Sequence, residues 1–204
     1  MFEPDQNTAR ERTDQFMVAG QWKHEHGDKR LDEPLFFEDL LVGKRWTSED
    51  REITADDVAD FAELTGDHDP LHTDQLNGKL SPFGGPVAHG LLGLSVLAGL
   101  SSQQPAVSTL ALVSIADWRF EAPIFFGDTV HVVTTVMEAV LHGRRAGRVT
   151  WLRQLVNQSN RIVQQGTFVT LVSTRARVQR FSDRIGQAAN EIGVASSSDA
   201  SASR

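Results

Sequence analysis

Apolar positions along the chain recur with two different periods, and the change from one to the other lays out the fold. Between residues 54 and 66, Val58, Phe61, Ala62 and Leu64 fall on one side of a helical projection. Thr54 followed by Asp57 is the capping-box pair that opens such a helix, and Gly66 is a residue that can close it. Pro70 forbids simple continuation, so residues 67–72 are expected to be irregular backbone. A second helix is expected from Pro86 to Leu100, where PVAHGLLGLSVLAGL is apolar on nearly every face. That pattern predicts a helix buried all round, wrapped by a sheet.

The period then shortens. Residues 108–120, 129–141, 147–158 and 161–175 are rich in Val, Thr, Leu, Ile and Phe, with Gly127–Asp128, Gly143 and Asn160 at or near the breaks. They read as antiparallel strands. In the second, Val130, Val132, Thr134 and Val136 alternate with more polar neighbours, as expected when one sheet face covers a core. The expected class is therefore α+β. Residues 1–33 are polar and charge-mixed and residues 179–204 are polar and serine-rich, so both read as flexible ends around one domain over 34–178.

Composition narrows the functions open to such a domain. A net charge of -7 argues against an extended nucleic-acid footprint. The absence of cysteine excludes disulfides, thiolate metal sites and cysteine nucleophiles. The start is too polar for a signal peptide and no apolar run reaches membrane-spanning length, so a cytoplasmic protein without a membrane partner is expected. Arg144, Arg145 and Arg148 form the densest basic patch. They suit a polyanion such as coenzyme A, or simply a solvated hairpin turn.

The most titratable stretch is TGDHDPLHTD at residues 65–74, directly after the first helix. Three readings compete. Asp67, Asp69 and Asp74 can be turn-formers and caps beside solvated histidines. The Asp and His side chains can hold a metal, although Pro70 breaks the helical spacing that a His68–His72 pair would need. Or a carboxylate and an imidazole converge on one water molecule, which is what hydration of an activated alkene requires.

Residues 36–175 resemble the MaoC-like family of (R)-specific enoyl-CoA hydratases through FFEDLLVGKRW, ITADDVADFAELTGDHDPLHTD, SPFGGPVAHGLLGLSVLAGL and WRFEAPIFFGDTV, in the family's order. The resemblance implies a hotdog fold, a long antiparallel sheet wrapped around a central helix. It maps the family's Asp-x-Asn-Pro-x-His signature onto Asp67 and His72 as the pair that holds the attacking water. It also implies syn addition to a trans-2-enoyl thioester, giving an (R)-3-hydroxyacyl product on coenzyme A or an acyl carrier protein. No metal and no other cofactor is implied. The family's His-Gly falls on His89–Gly90, where the Gly90 N–H at a helix start would meet the thioester carbonyl.

Supporting or substrate-binding roles are expected for Asp69, His89, Ser95, Trp118 and Phe120. Asp69 replaces the family's asparagine, which sets a second carboxylate beside Asp67. Ala98 stands where some relatives carry a serine, with Ser95 one turn away as its substitute. Trp118 and Phe120 are expected to line an acyl pocket, while Pro123 and Gly127–Asp128 read as a structural turn. The resemblance also implies a homodimer or a dimer of dimers. Two rivals stay open: a hydratase for branched or dicarboxylic acyl-CoAs of the mesaconyl-CoA type, and a hotdog protein that binds acyl thioesters without catalysis.

Overall fold

A computed structural model describes residues 34–73, 80–177, 179–180 and 184–185. The expected flexible extension 1–33, Asp74, and all but four residues of the expected tail 179–204 lie outside the described residues.

Two short strands come first, β1 (Arg45–Thr47) and β2 (Arg51–Glu52), followed by α1 (Ala55–Thr65). The capping box forms as the sequence predicts. The Thr54 hydroxyl accepts from the Asp57 N–H at 3.1 Å while the Thr54 N–H donates to the Asp57 carboxylate at 2.9 Å. Burial pushes the Asp57 carboxyl upward, but the Thr54 hydrogen bonds and the Arg51 guanidinium outweigh it and hold the group below its usual range. Gly66 ends α1 in the left-handed conformation at φ 76°, and its N–H donates to the Ala62 carbonyl. Leu64, expected on the apolar face, is instead 83% exposed.

The next turn corrects the sequence expectation. Pro70–Thr73 is a short helix, α2, because proline is acceptable at a first helical position, where its missing N–H has no intrahelical partner to lose. Asp69 caps it, accepting the Leu71 N–H at 2.8 Å.

The long helix, α3, runs Gly90–Gln103 and is followed by four strands: β3 (Thr109–Phe120), β4 (Thr129–His142), β5 (Ala146–Asn157) and β6 (Ile162–Ser173). All pairings in the sheet are antiparallel, in the order β1-β4-β5-β6-β3, with β2 also on β4. Leu92, Val96 and Leu97 of α3 pack against Val130, Val132, Val149, Trp151, Leu155 and Phe168, which all face inward. This is the hotdog arrangement, helix inside and sheet outside.

The cover over α3 differs from expectation. α3 is not buried all round: Leu91, Ser95, Ala98 and Ser102 are exposed along one stripe. Apolarity on every face reports what a helix can bury, and this chain on its own supplies cover for only one side. β3, the sheet edge, likewise exposes Leu110, Leu112, Val113 and Ile115. Among the described residues no helix is long and apolar enough to cross a membrane.

Candidate active site

Four backbone features bring the loop and the helix start together. Gly66 turns the chain out of α1 so that Asp67 follows immediately. Asp69 caps α2 and so fixes His72 on that helix. Residues 87–88 run alongside 124–125, with the Ala88 N–H donating to the Ile124 carbonyl at 2.8 Å and Val87 bridged to Phe125. Asp128 holds the 124–128 turn by accepting from the Phe125 N–H and the Gln158 amide at 2.8 and 2.6 Å. The Pro123 to Asp128 turn is thus structural, as its sequence suggests, and it sets the approach to α3.

On this frame Asp67, His72 and His89 converge. Their ligating atoms all lie within 4.8 Å of one another. His89 is 2% exposed, its Nε2–H donates to the Asp67 backbone carbonyl at 2.8 Å, and its ring stacks on that of His72 at 4.0 Å between centroids. Phe61 of α1 lies against the other side of His89 at 5.1 Å. His72 Nδ1 lies 2.7 Å from the Val87 carbonyl oxygen. A carbonyl can only accept, so Nδ1 carries the proton and Nε2 of the neutral ring is left as an acceptor. The Asp67 carboxylate is half exposed and accepts the Asp69 N–H at 3.4 Å.

Gly90 begins α3, where its N–H has no intrahelical acceptor and points along the positive end of the helix dipole. A Cβ there would come within 2.8 Å of the Phe120 ring. The Gln164 amide donates to the Gly90 carbonyl at 3.0 Å and leaves no room for a Cβ at Gly93. Gln164 escaped the sequence reading. Its signal is a polar residue at an inward-facing strand position, between apolar neighbours on that face.

Other expected site residues are placed differently. Asp69 spends its carboxylate on the α2 cap instead of lying beside Asp67 as a second acid. The Ser95 hydroxyl donates back to the Leu91 carbonyl at 2.9 Å, because a serine inside a helix bonds most readily to the turn before it. Trp118 packs edge-on against Phe168 at 5.8 Å and closes over Gly166, while Phe120 reaches Gly90. A bulge between Ala116 and Arg119, with Asp117 at φ 51°, re-aims this end of β3. Arg144 and Arg145 lie at the β4–β5 turn. Nine strand residues, roughly 30 Å, separate Ala146 from Leu155, which pairs with Gln164, so this chain's basic turn is remote from its own Asp67–His72 pair.

The arrangement sets two hydrogen-bond acceptors near the start of α3, where the Gly90 N–H has no acceptor among the described residues. Over 113 residues the chain is 35% identical to the 3-hydroxybutyryl-CoA dehydratase of Methylorubrum extorquens, a match that covers 55% of this chain and 70% of that one. It is 38% identical over 77 residues to the (R)-specific enoyl-CoA hydratase of Aeromonas caviae, covering 37% of this chain and 56% of the relative. The crystal structure of a MaoC-like dehydratase from Rhodospirillum rubrum superposes with a TM-score of 0.63 at 29% identity, covering 69% of this chain and 98% of that one. The family model described as MaoC like domain matches residues 39–155, which span α1, α2, all of α3 and most of the sheet, and the chain belongs to that family.

Proposed function

We propose that the protein hydrates a trans-2-enoyl thioester, reversibly, to an (R)-3-hydroxyacyl thioester. The observation that carries this is the pairing of two acceptors, His72 Nε2 and the Asp67 carboxylate, with the free Gly90 N–H at the helix start. A water that donates one hydrogen to each acceptor keeps a lone pair for C3 of the substrate. As the C3–O bond forms, electrons move onto the thioester oxygen, where the Gly90 N–H stabilises the enolate. The pair takes the water's proton and returns it to C2 from the same face, so H and OH add syn. The (R) outcome is supported by the resemblance to the Aeromonas caviae hydratase.

His89 is the positioning residue of this scheme, since it holds the Asp67 backbone and braces the His72 ring. His89→Phe keeps a ring of similar size and removes the Nε2 donor. We expect kcat to fall about five- to tenfold, the worth of one hydrogen bond, with KM little changed. Steady-state kinetics on crotonyl-CoA measures it, and a larger rise in KM than fall in kcat would contradict the assigned role.

The thioester tunnel is completed by a second copy of the chain, which covers the exposed α3 stripe and extends the sheet from the β3 edge. Sedimentation should show a dimer or a dimer of dimers, and Val113→Lys on β3 should shift it toward monomer with loss of activity.

The activity itself is read by incubating the purified full chain with crotonyl-CoA and following loss of the enoyl-thioester absorbance, then resolving the enantiomers of the product. Binding without turnover would establish instead a non-catalytic thioester-binding protein. The same three side chains could also hold a divalent cation. One tightly bound metal per chain, with activity lost on chelation, would replace the cofactor-free scheme.

A further inference from the structure

We propose that a cavity at the far end of α3 receives the distal end of the acyl group, and that Arg153 within it selects chains ending in a carboxylate. The inference rests on the reading that the thioester carbonyl sits at Gly90. Arg153 lies on β5 between Trp151 and Leu155, at an inward-facing position where those two neighbours are core residues. Its guanidinium lies 4.5 Å from the Phe168 ring centroid and 5.8 Å from that of Trp151. No carboxylate among the described residues pairs with it, and its buried Nε has no hydrogen-bond partner among them. Desolvation lowers the group to about 10, so it stays protonated at neutral pH. A partly buried cation without a counter-ion, set against aromatic rings and facing a cavity, is a group suited to bind an anion.

The cavity encloses about 250 Å³ and is lined by Arg153 together with Ala98, Ser102, Leu112, Thr134 and Phe168, among others. The buried Thr134 hydroxyl is a second polar group there without a partner among the described residues. Arg153 and Thr134 are directly opposite one another across β5 and β4, so they point to the same side of the sheet. Their donors together suit the oxygens of one carboxylate, held by the planar guanidinium.

An exposed face of α3 leads from the helix start to this cavity. Leu91, Ser95, Ala98 and Ser102 follow the i, i+4, i+7, i+11 spacing of a single helix face, all exposed. The stripe starts next to Gly90, and its last two members line the cavity. Ala98 is eight residues beyond Gly90, a rise of about 12 Å, which suits an extended acyl chain of roughly eight to ten carbons. At its end an uncharged methyl would leave Arg153 desolvated and unpaired, whereas a carboxylate would pair it.

The test compares two series of trans-2-enoyl-CoAs of matched length, one ending in methyl and one in carboxylate, with the full-length protein. We expect wild type to favour the carboxylate series by about 10- to 100-fold in kcat/KM near the predicted length, the range of a charge-assisted hydrogen-bonded contact. Arg153→Met should reverse the preference, Arg153→Lys should keep part of it, and the melting temperature of Arg153→Met should rise because a partly desolvated charge without a counter-ion has gone. A wild-type preference for methyl ends at every length would overturn the inference without touching the hydratase reading. A preference for carboxylates that survives in Arg153→Met would also overturn it, as would a lowered melting temperature of that variant, which would mark Arg153 as a structural ion-pair partner. Turnover of neither series by wild type would instead refute the hydratase reading beneath it.

Discussion

Asp67→Asn and His72→Ala should each lower kcat for enoyl-thioester hydration by about 10²–10⁴-fold, the span of a general acid–base contribution. The two substitutions act at one water, so the double variant should lose little more than the worse single one. Asp67→Asn is nearly isosteric, yet it replaces an acceptor by an NH2 group that cannot take a proton. The carboxylate is half exposed and forms no part of the hydrophobic core, so the melting temperature should stay within about 1 °C of wild type, as for a surface change of a few tenths of a kcal/mol. His72→Ala also frees the Val87 carbonyl, and some thermal destabilisation should accompany its loss of rate. Full activity in either variant, measured on crotonyl-CoA with the protein shown to be folded, would falsify the proposed mechanism.

The second large effect is expected at Gly90. A methyl group there would lie over the helix start and meet the Phe120 ring at 2.8 Å, so Gly90→Ala both crowds the N–H donor and displaces the ring. Loss of one oxyanion donor typically lowers kcat by about 10²–10³-fold, and we expect that range. The two causes separate in a double variant. Phe120 is largely exposed and can swing away, so the fold should tolerate the clash. If the defect came from the ring, Gly90→Ala/Phe120→Ala would recover activity. If it comes from the blocked donor, as we predict, the double variant stays as slow as Gly90→Ala, while Phe120→Ala alone remains active.

Much of this site was legible because it depends on local rules. The Thr54–Asp57 capping box, the Gly66 terminator and the ends of the four long strands follow from side-chain chemistry within a few residues, and the structure places them there. His89–Gly90 at the start of α3 was legible too, through the resemblance. α2 was missed because Pro70 serves equally well as a helix breaker and as a first helical residue, and only the Asp69 cap decides between them. The directions of Ser95 and Trp118 depend on a backbone carbonyl one turn away and on a bulge, neither of which leaves a periodic trace. Gln164 and Arg153 were invisible for a different reason. Their importance lies in which strand is paired with which, and sequence alone does not disclose that Leu155 faces Gln164.

The strand order has a consequence for how the chain comes together in time. β4, β5 and β6 are joined by short turns and can zip as a meander, whereas β3 is made before them and pairs only with β6, some fifty residues later along the chain. β3 therefore has no strand to pair with until β6 has been made. The Gln164–Gly90 hydrogen bond forms only at that stage, so the thioester end of the site is among the last parts to be assembled. A chain stopped before Ile162 would carry Asp67, His72 and Gly90 intact in sequence, and would still lack the strand whose Gln164 holds the Gly90 carbonyl.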